Sequence, residues 1–126
     1  MTAAPTEIRV RRATRQLEVD FEGGLRFSYP AEYLRVESPS AEVQGHGPKE
    51  HVLVAGKQAV GITTVDPIGH YAIRIQFDDG HDTGIFTWDY LLQLGQERDR
   101  RWQAYLAALA EKGLSREAYP VRPARR

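Results

Sequence analysis

Residues 73–87, Ile73-Arg74-Ile75-Gln76-Phe77-Asp78-Asp79-Gly80-His81-Asp82-Thr83-Gly84-Ile85-Phe86-Thr87, read as a β-hairpin, and that reading sets the class of the fold. Ile73, Ile75 and Phe77 alternate with polar residues in the first arm. Thr83, Ile85 and Thr87 form the matching set of the second arm, and a period of two marks a half-buried strand. Two registers suit the Asp78-Asp79-Gly80-His81 connection. A three-residue loop, Asp79 to His81, sets Ile75 opposite Ile85 and Phe77 opposite Thr83. A two-residue Asp79-Gly80 turn sets Phe77 opposite Asp82. The first keeps the apolar faces together and is the preferred expectation.

Upstream, Asp66-Pro67-Ile68-Gly69 has turn composition. Val52–Val54 and Ala59–Val65 before it are short strand candidates. At the start of the chain, Ile8 and Val10, then Leu17, Val19 and Phe21, then Leu25, Phe27 and Tyr29 alternate with polar residues. With Gly23-Gly24 as a tight turn, they predict a three-stranded antiparallel meander. Pro30 suits a first helical turn, so Pro30–Arg35 is expected to be a short helix carrying Tyr33 and Leu34 inward. Glu37–His51 shows no apolar period and reads as a loop.

Downstream, Thr87 can cap a short helix from Trp88 to Leu94, with Gly95 as its stop. A longer helix follows from about Gln96 to Lys112. Trp102, Tyr105, Leu106 and Leu109 form its i, i+3, i+4, i+7 stripe, and Gly113 ends it. The expected architecture is α+β: a mostly antiparallel sheet of about six strands with short helices and a longer C-terminal helix. One domain, 8–114, is expected between a flexible N-terminus, 1–7, and a flexible tail, 115–126.

The chain has 126 residues, 41% hydrophobic and 27% charged, enough for one core. Its 17 basic and 17 acidic residues cancel, so no global field gathers nucleic acid or an anionic membrane. The basic residues are arginines apart from Lys49, Lys57 and Lys112, and they are interspersed with acids. There is no cysteine, which excludes disulfides and thiolate chemistry. Neither a signal sequence nor a membrane span is legible, so a cytoplasmic protein is expected.

Motifs for catalysis are missing. Gly56-Lys57 is followed by Gln58, not the Ser or Thr of a phosphate loop. Gly45 and Gly47 have dinucleotide-loop spacing but no helix after them. No Gly-x-Ser-x-Gly elbow occurs. None of His46, His51, His70 and His81 is followed two residues later by an acid, as an iron facial triad requires. Tyr71, Phe77, Phe86, Trp88 and Tyr90 are expected to be core packing around the hairpin rather than a stacking platform.

The run from Gly69 to Trp88, with the opening strands and the Tyr33-Leu34-Arg35 turn, resembles the gamma-butyrobetaine-hydroxylase-like N-terminal domain, over roughly Thr6 to Gly95. The resemblance implies a stand-alone bacterial form of a domain that elsewhere precedes an iron and 2-oxoglutarate oxygenase domain. It also implies a position for a zinc site of three cysteines and one histidine, which fall here on Ser38, Ser40, Val43 and His81. Only His81 is a possible ligand, so no metal or other cofactor is expected. Related domains attached to iron–sulfur carrier ATPases imply the alternative: a metal-linked accessory factor, with zinc or iron, in cluster or cofactor assembly. The leading expectation is a non-catalytic module, not an enzyme, that binds a protein partner. It would bind neither nucleic acid nor membrane, and would be a monomer or weak homodimer. Its candidate interaction residues are His81, Trp88 and His46.

Overall fold

The structure is a computed structural model that describes residues 4–39 and 53–117. Strands β1 (Pro5–Arg11), β2 (Gln16–Phe21) and β3 (Arg26–Pro30) form the expected meander. Leu17 pairs with Val10 on one side and Tyr29 on the other. This register puts Leu17, Val19, Phe21 and Tyr29 on one buried face. Gly23 and Gly24 both take positive φ in the turn before β3, which side chains resist. β1 starts at Pro5, so residues 5–7, expected in a flexible N-terminus, belong to the sheet.

Helix α1 (Ala31–Val36) follows Pro30 directly and buries Tyr33 and Leu34, as expected. Strands β4 (Ile62–Ile68), β5 (Ala72–Phe77) and β6 (Gly84–Thr87) form a second antiparallel sheet. Helices α2 (Trp88–Gln96) and α3 (Arg98–Lys112) complete the α+β fold. Thr87 accepts the Tyr90 N–H as the cap of α2, and Gly113 ends α3 in the left-handed conformation.

Several expectations are corrected. The strands form two three-stranded sheets, not one sheet of six. Val54 and Leu53 are not in a strand, and Val52 lies outside the described residues. Asp66, Pro67 and Ile68 continue β4 instead of turning; β4 is an edge strand, where a residue without an N–H is tolerated. Gly95 lies inside α2 and is not its stop. A Cβ there would fall 2.5 Å from Phe27 Cγ, so the glycine is a close-approach position.

The hairpin takes the other register. Ile73 faces Phe86, Arg74 faces Ile85 and Ile75 faces Gly84. Phe86 is 0% exposed while Ile85 is 41% exposed. The inward set of β6 is therefore Gly84 and Phe86. The expected register would have turned the larger ring to water, because a slip of one residue exchanges the two faces. The Phe77 N–H donates to the His81 carbonyl, and Gly80, at φ +93°, donates to the Phe77 carbonyl.

One core joins both sheets to α1 and α2 through Leu17, Val19, Tyr29, Leu34, Ile75, Phe86, Leu91 and Leu94. Val36, Tyr105 and Leu109 form a smaller cluster under α3. Four tyrosine hydroxyls donate to main-chain carbonyls: Tyr29 to Leu91, Tyr33 to Leu94, Tyr90 to Glu37 and Tyr105 to Val54. Burial raises the pKa of all four, because a phenolate is poorly solvated there.

Candidate functional site

The loop between β5 and β6 meets the residues that leave α1. Ser38 is 0% exposed, and its Oγ lies 2.9 Å from His81 Nε2. Gly84 makes room for it. A Cβ on residue 84 would fall 2.3 Å from Ser38 Oγ and 3.2 Å from Phe86 Cε1. The His81 ring is 6.0 Å from that of Phe77. Two of the four family-position residues named from the sequence, Ser38 and His81, are thus brought together across 43 residues of chain. Ser40, Val43 and His46 lie outside the described residues.

Asp79 clamps the same loop. Its Oδ1 accepts the His81 main-chain N–H at 3.1 Å. Its Oδ2 meets Arg35 Nε at 2.8 Å and Lys57 Nζ at 2.6 Å. Partial burial pushes the Asp79 carboxyl up. The hydrogen bonds from Lys57, the His81 N–H and Arg35 outweigh that and hold it at about 2.

These contacts limit the chemistry. A serine, a histidine and an aspartate are together, but Asp79 holds the main chain of His81, not its ring. Ser38 is sealed from any substrate. The arrangement does not orient a base against an accessible nucleophile. Nor do the residues fit the thiolate–histidine zinc set: a neutral serine hydroxyl, already hydrogen-bonded to the imidazole, stands where a thiolate is needed. Among the described residues no group of three or more histidine, aspartate or glutamate side chains could hold a metal.

Trp88 lies at the other end of β6 from His81, so the structure does not join these two candidate interaction residues. Its indole N–H donates to the His70 carbonyl at 2.7 Å, and its ring packs partly against the core. Two apolar side chains that pattern alone does not mark as exposed are Tyr71, 57% exposed, whose carbonyl accepts the Trp88 main-chain N–H, and Ile85 on β6. Correct hairpin register was the signal that would have found Ile85. On the first sheet, Arg9 and Arg26 are tied to Glu18 and Asp20, so these arginines make a mixed-charge face and not a basic one.

Residues 8–92 match the family model described as gamma-butyrobetaine hydroxylase-like, N-terminal. The chain belongs to this family. Solved structures agree in fold with this gamma-butyrobetaine hydroxylase-like domain. An NMR solution structure of one protein is 46% identical, with a TM-score of 0.83 over 96% of this chain and 95% of that one. A second NMR solution structure is 42% identical, with a TM-score of 0.80 over 99% and 93%. A crystal structure of a protein of unknown function from the DUF971 family of Acidithiobacillus ferrooxidans is 43% identical. Its TM-score is 0.62 over 72% of this chain and 91% of that one. No curated protein matches the chain. No helix among the described residues is long and apolar enough to cross a membrane.

Proposed function

We propose that this gamma-butyrobetaine hydroxylase-like domain is a non-catalytic, cytoplasmic interaction module whose partner is a protein. The observation that carries the reading is the division of labour along hairpin β5–β6. Two of its polar side chains are spent on internal contacts, His81 with Ser38 and Asp79 with Arg35 and Lys57. Two apolar side chains here are exposed, Tyr71 in the turn before β5 and Ile85 on β6, and Trp88 after β6 is half-buried. Exposed aromatic and branched side chains are the residues that bury well against another protein. The balanced charge gives no general attraction to nucleic acid.

The test is photo-crosslinking in native cells, with the reactive side chain placed at residue 71 or 85, or at exposed position 111 as control. The expected result is one discrete adduct from 71 and 85 that is missing from 111. Absence of an adduct at both hairpin positions removes the basis for the reading.

A second reading, a metal-linked accessory factor in iron–sulfur or cofactor assembly, would use His81 alone of this chain's residues at the family's ligand positions, with the remaining ligands supplied by a partner. Elemental analysis of untagged protein purified with its partner decides it. Near-stoichiometric zinc or iron that is lost in His81→Ala supports this role, and background metal in both proteins rejects it.

A further inference from the structure

Glu32 stands in the first turn of α1 and is only 6% exposed. A carboxylate so placed needs a cation, because leaving a buried charge unpaired is strongly destabilising. Arg116 supplies it. Arg116 Nε donates to Glu32 Oε2 at 2.9 Å and Nη2 donates to Oε1 at 2.8 Å, a two-pronged contact. The guanidinium carbon also lies 5.2 Å from the centre of the Trp102 ring. A carboxylate that matches the guanidinium fork and an aromatic face beside it are the two elements that distinguish arginine from lysine.

The receptor and its occupant are built differently. Glu32 is fixed by α1. Trp102 is fixed on α3 between Tyr33, ring to ring at 6.3 Å, and Tyr105 at 5.1 Å. Both belong to regular helices, and Arg116 does not. Arg116 lies beyond the end of α3 in an irregular segment. That segment is held to the body by main-chain hydrogen bonds, Gly56 N–H to the Ser115 carbonyl and Gln58 N–H to the Arg116 carbonyl. This contact also corrects the expectation of a flexible tail over residues 115–117; residues 118–126 lie outside the described residues. The Arg116 side chain is 37% exposed, so the occupant is reached from solvent while the carboxylate beneath it is not. A cavity of about 250 Å³ adjoins the pair, bounded by Pro30, Asp99 and Gln103. Arg98 also borders it, but its guanidinium is committed to the Ser28 carbonyl.

We infer that Glu32 and Trp102 form a guanidinium-binding site, occupied within the chain by Arg116, whose ligand in trans is an arginine side chain of a protein partner. Arg116 then acts as an intramolecular competitor, held at the site by the main-chain hydrogen bonds of its own segment. The inference rests on the reading of the chain as a protein-interaction module. Its test uses a small probe, so the site can fail while hairpin crosslinking still succeeds.

The probe is N-acetyl-arginine methylamide, titrated into the full-length ¹⁵N-labelled chain while the Trp102 indole N–H is followed. Arg116→Ala is expected to bind it at least tenfold more tightly than the native chain. Adding Glu32→Gln should weaken that binding about tenfold or more, because the lost contacts are hydrogen bonds to a charged group. The lysine analogue should bind at least tenfold more weakly than the arginine probe. Arg116→Gln carries the same expectations and serves if Arg116→Ala does not fold. The inference is overturned if a folded variant fails to bind more tightly than the native chain, if Glu32→Gln changes nothing, or if lysine binds as well as arginine. It also falls if neither variant folds, since Arg116 is then a pillar and not a removable occupant.

Discussion

Alanine at position 95 should destabilise this protein, against the general rule for helices. Gly95 lies inside α2, where replacing glycine by alanine ordinarily stabilises by about 1 kcal/mol. Here the new Cβ would meet Phe27 Cγ at 2.5 Å, Cδ2 at 2.7 Å and Cδ1 at 2.8 Å. Carbon atoms rest at roughly 3.5–4.0 Å, so helix and strand must part by about 1 Å. The near atom is the root of the ring, and rotating the ring does not remove it. Phe21 at 6.0 Å and Tyr29 at 6.3 Å flank the ring on its own sheet. Overpacking of this kind costs about 1–3 kcal/mol, and set against the propensity gain of about 1 kcal/mol it leaves a net loss of up to about 2 kcal/mol. In urea denaturation followed by circular dichroism, that lowers the midpoint by up to roughly 1 M. The mechanism has a sharper signature in the Phe27→Ala background, where the ring is gone. There Gly95→Ala should become neutral or stabilising by up to about 1 kcal/mol. A higher midpoint for Gly95→Ala in the native background, or an equal loss in both backgrounds, would refute the reasoning.

Three further outcomes are expected. Gly84→Ala should cost about 1–3 kcal/mol, since its Cβ collides with buried Ser38 Oγ, and Ser38→Ala should recover part of that loss in the double variant; thermal melts of the three proteins check it. Thr87→Ala should cost about 1 kcal/mol through the lost cap on the Tyr90 N–H, with little packing change because Thr87 is exposed, and urea midpoints measure it. Asp79, held at about 2 in the folded state against 3.8 ordinarily, contributes stability that is complete above the ordinary value and is lost as pH falls from about 4 towards 2. The contribution is at most about 2 kcal/mol; in acid titrations of stability, Asp79→Asn should be less stable than the native chain at neutral pH and should approach it below pH 3.

Local pattern carried much of the fold. Leu17, Val19 and Phe21 announce β2 by alternation alone, and Trp102, Tyr105 and Leu109 announce the buried side of α3 by spacing. What stayed hidden was decided by partners far along the chain. Either face of β6 offers an apolar residue, Ile85 or Phe86, so alternation cannot choose between them. Gly84 looks unfit for a core position until Ser38 fills the space beside it. Gly95 has the appearance of a helix stop because its reason, Phe27, belongs to another element. The candidate sites divide in the same way. His81 and Ser38 were named together only through a family resemblance, and the structure gives them a mutual hydrogen bond. Glu32 and Arg116 are 84 residues apart, in a stretch that reads as plain helix and a stretch that reads as tail, and no spacing rule joins them.

The tyrosine ties between the first meander and α2 bear on how the protein is made. Tyr29 and Tyr33 reach carbonyls 62 and 61 residues further along. A ribosome delivers the meander first, when the helix that covers it does not yet exist. At roughly 5–20 residues per second, that inner face waits several seconds for its cover. The meander cannot be a finished folding unit in that interval, and its interior side chains are surface until residue 94 has left the exit tunnel. Early stops or long pauses before that point should release a sticky, protease-sensitive fragment, whereas those after it should release a chain already able to close its main core.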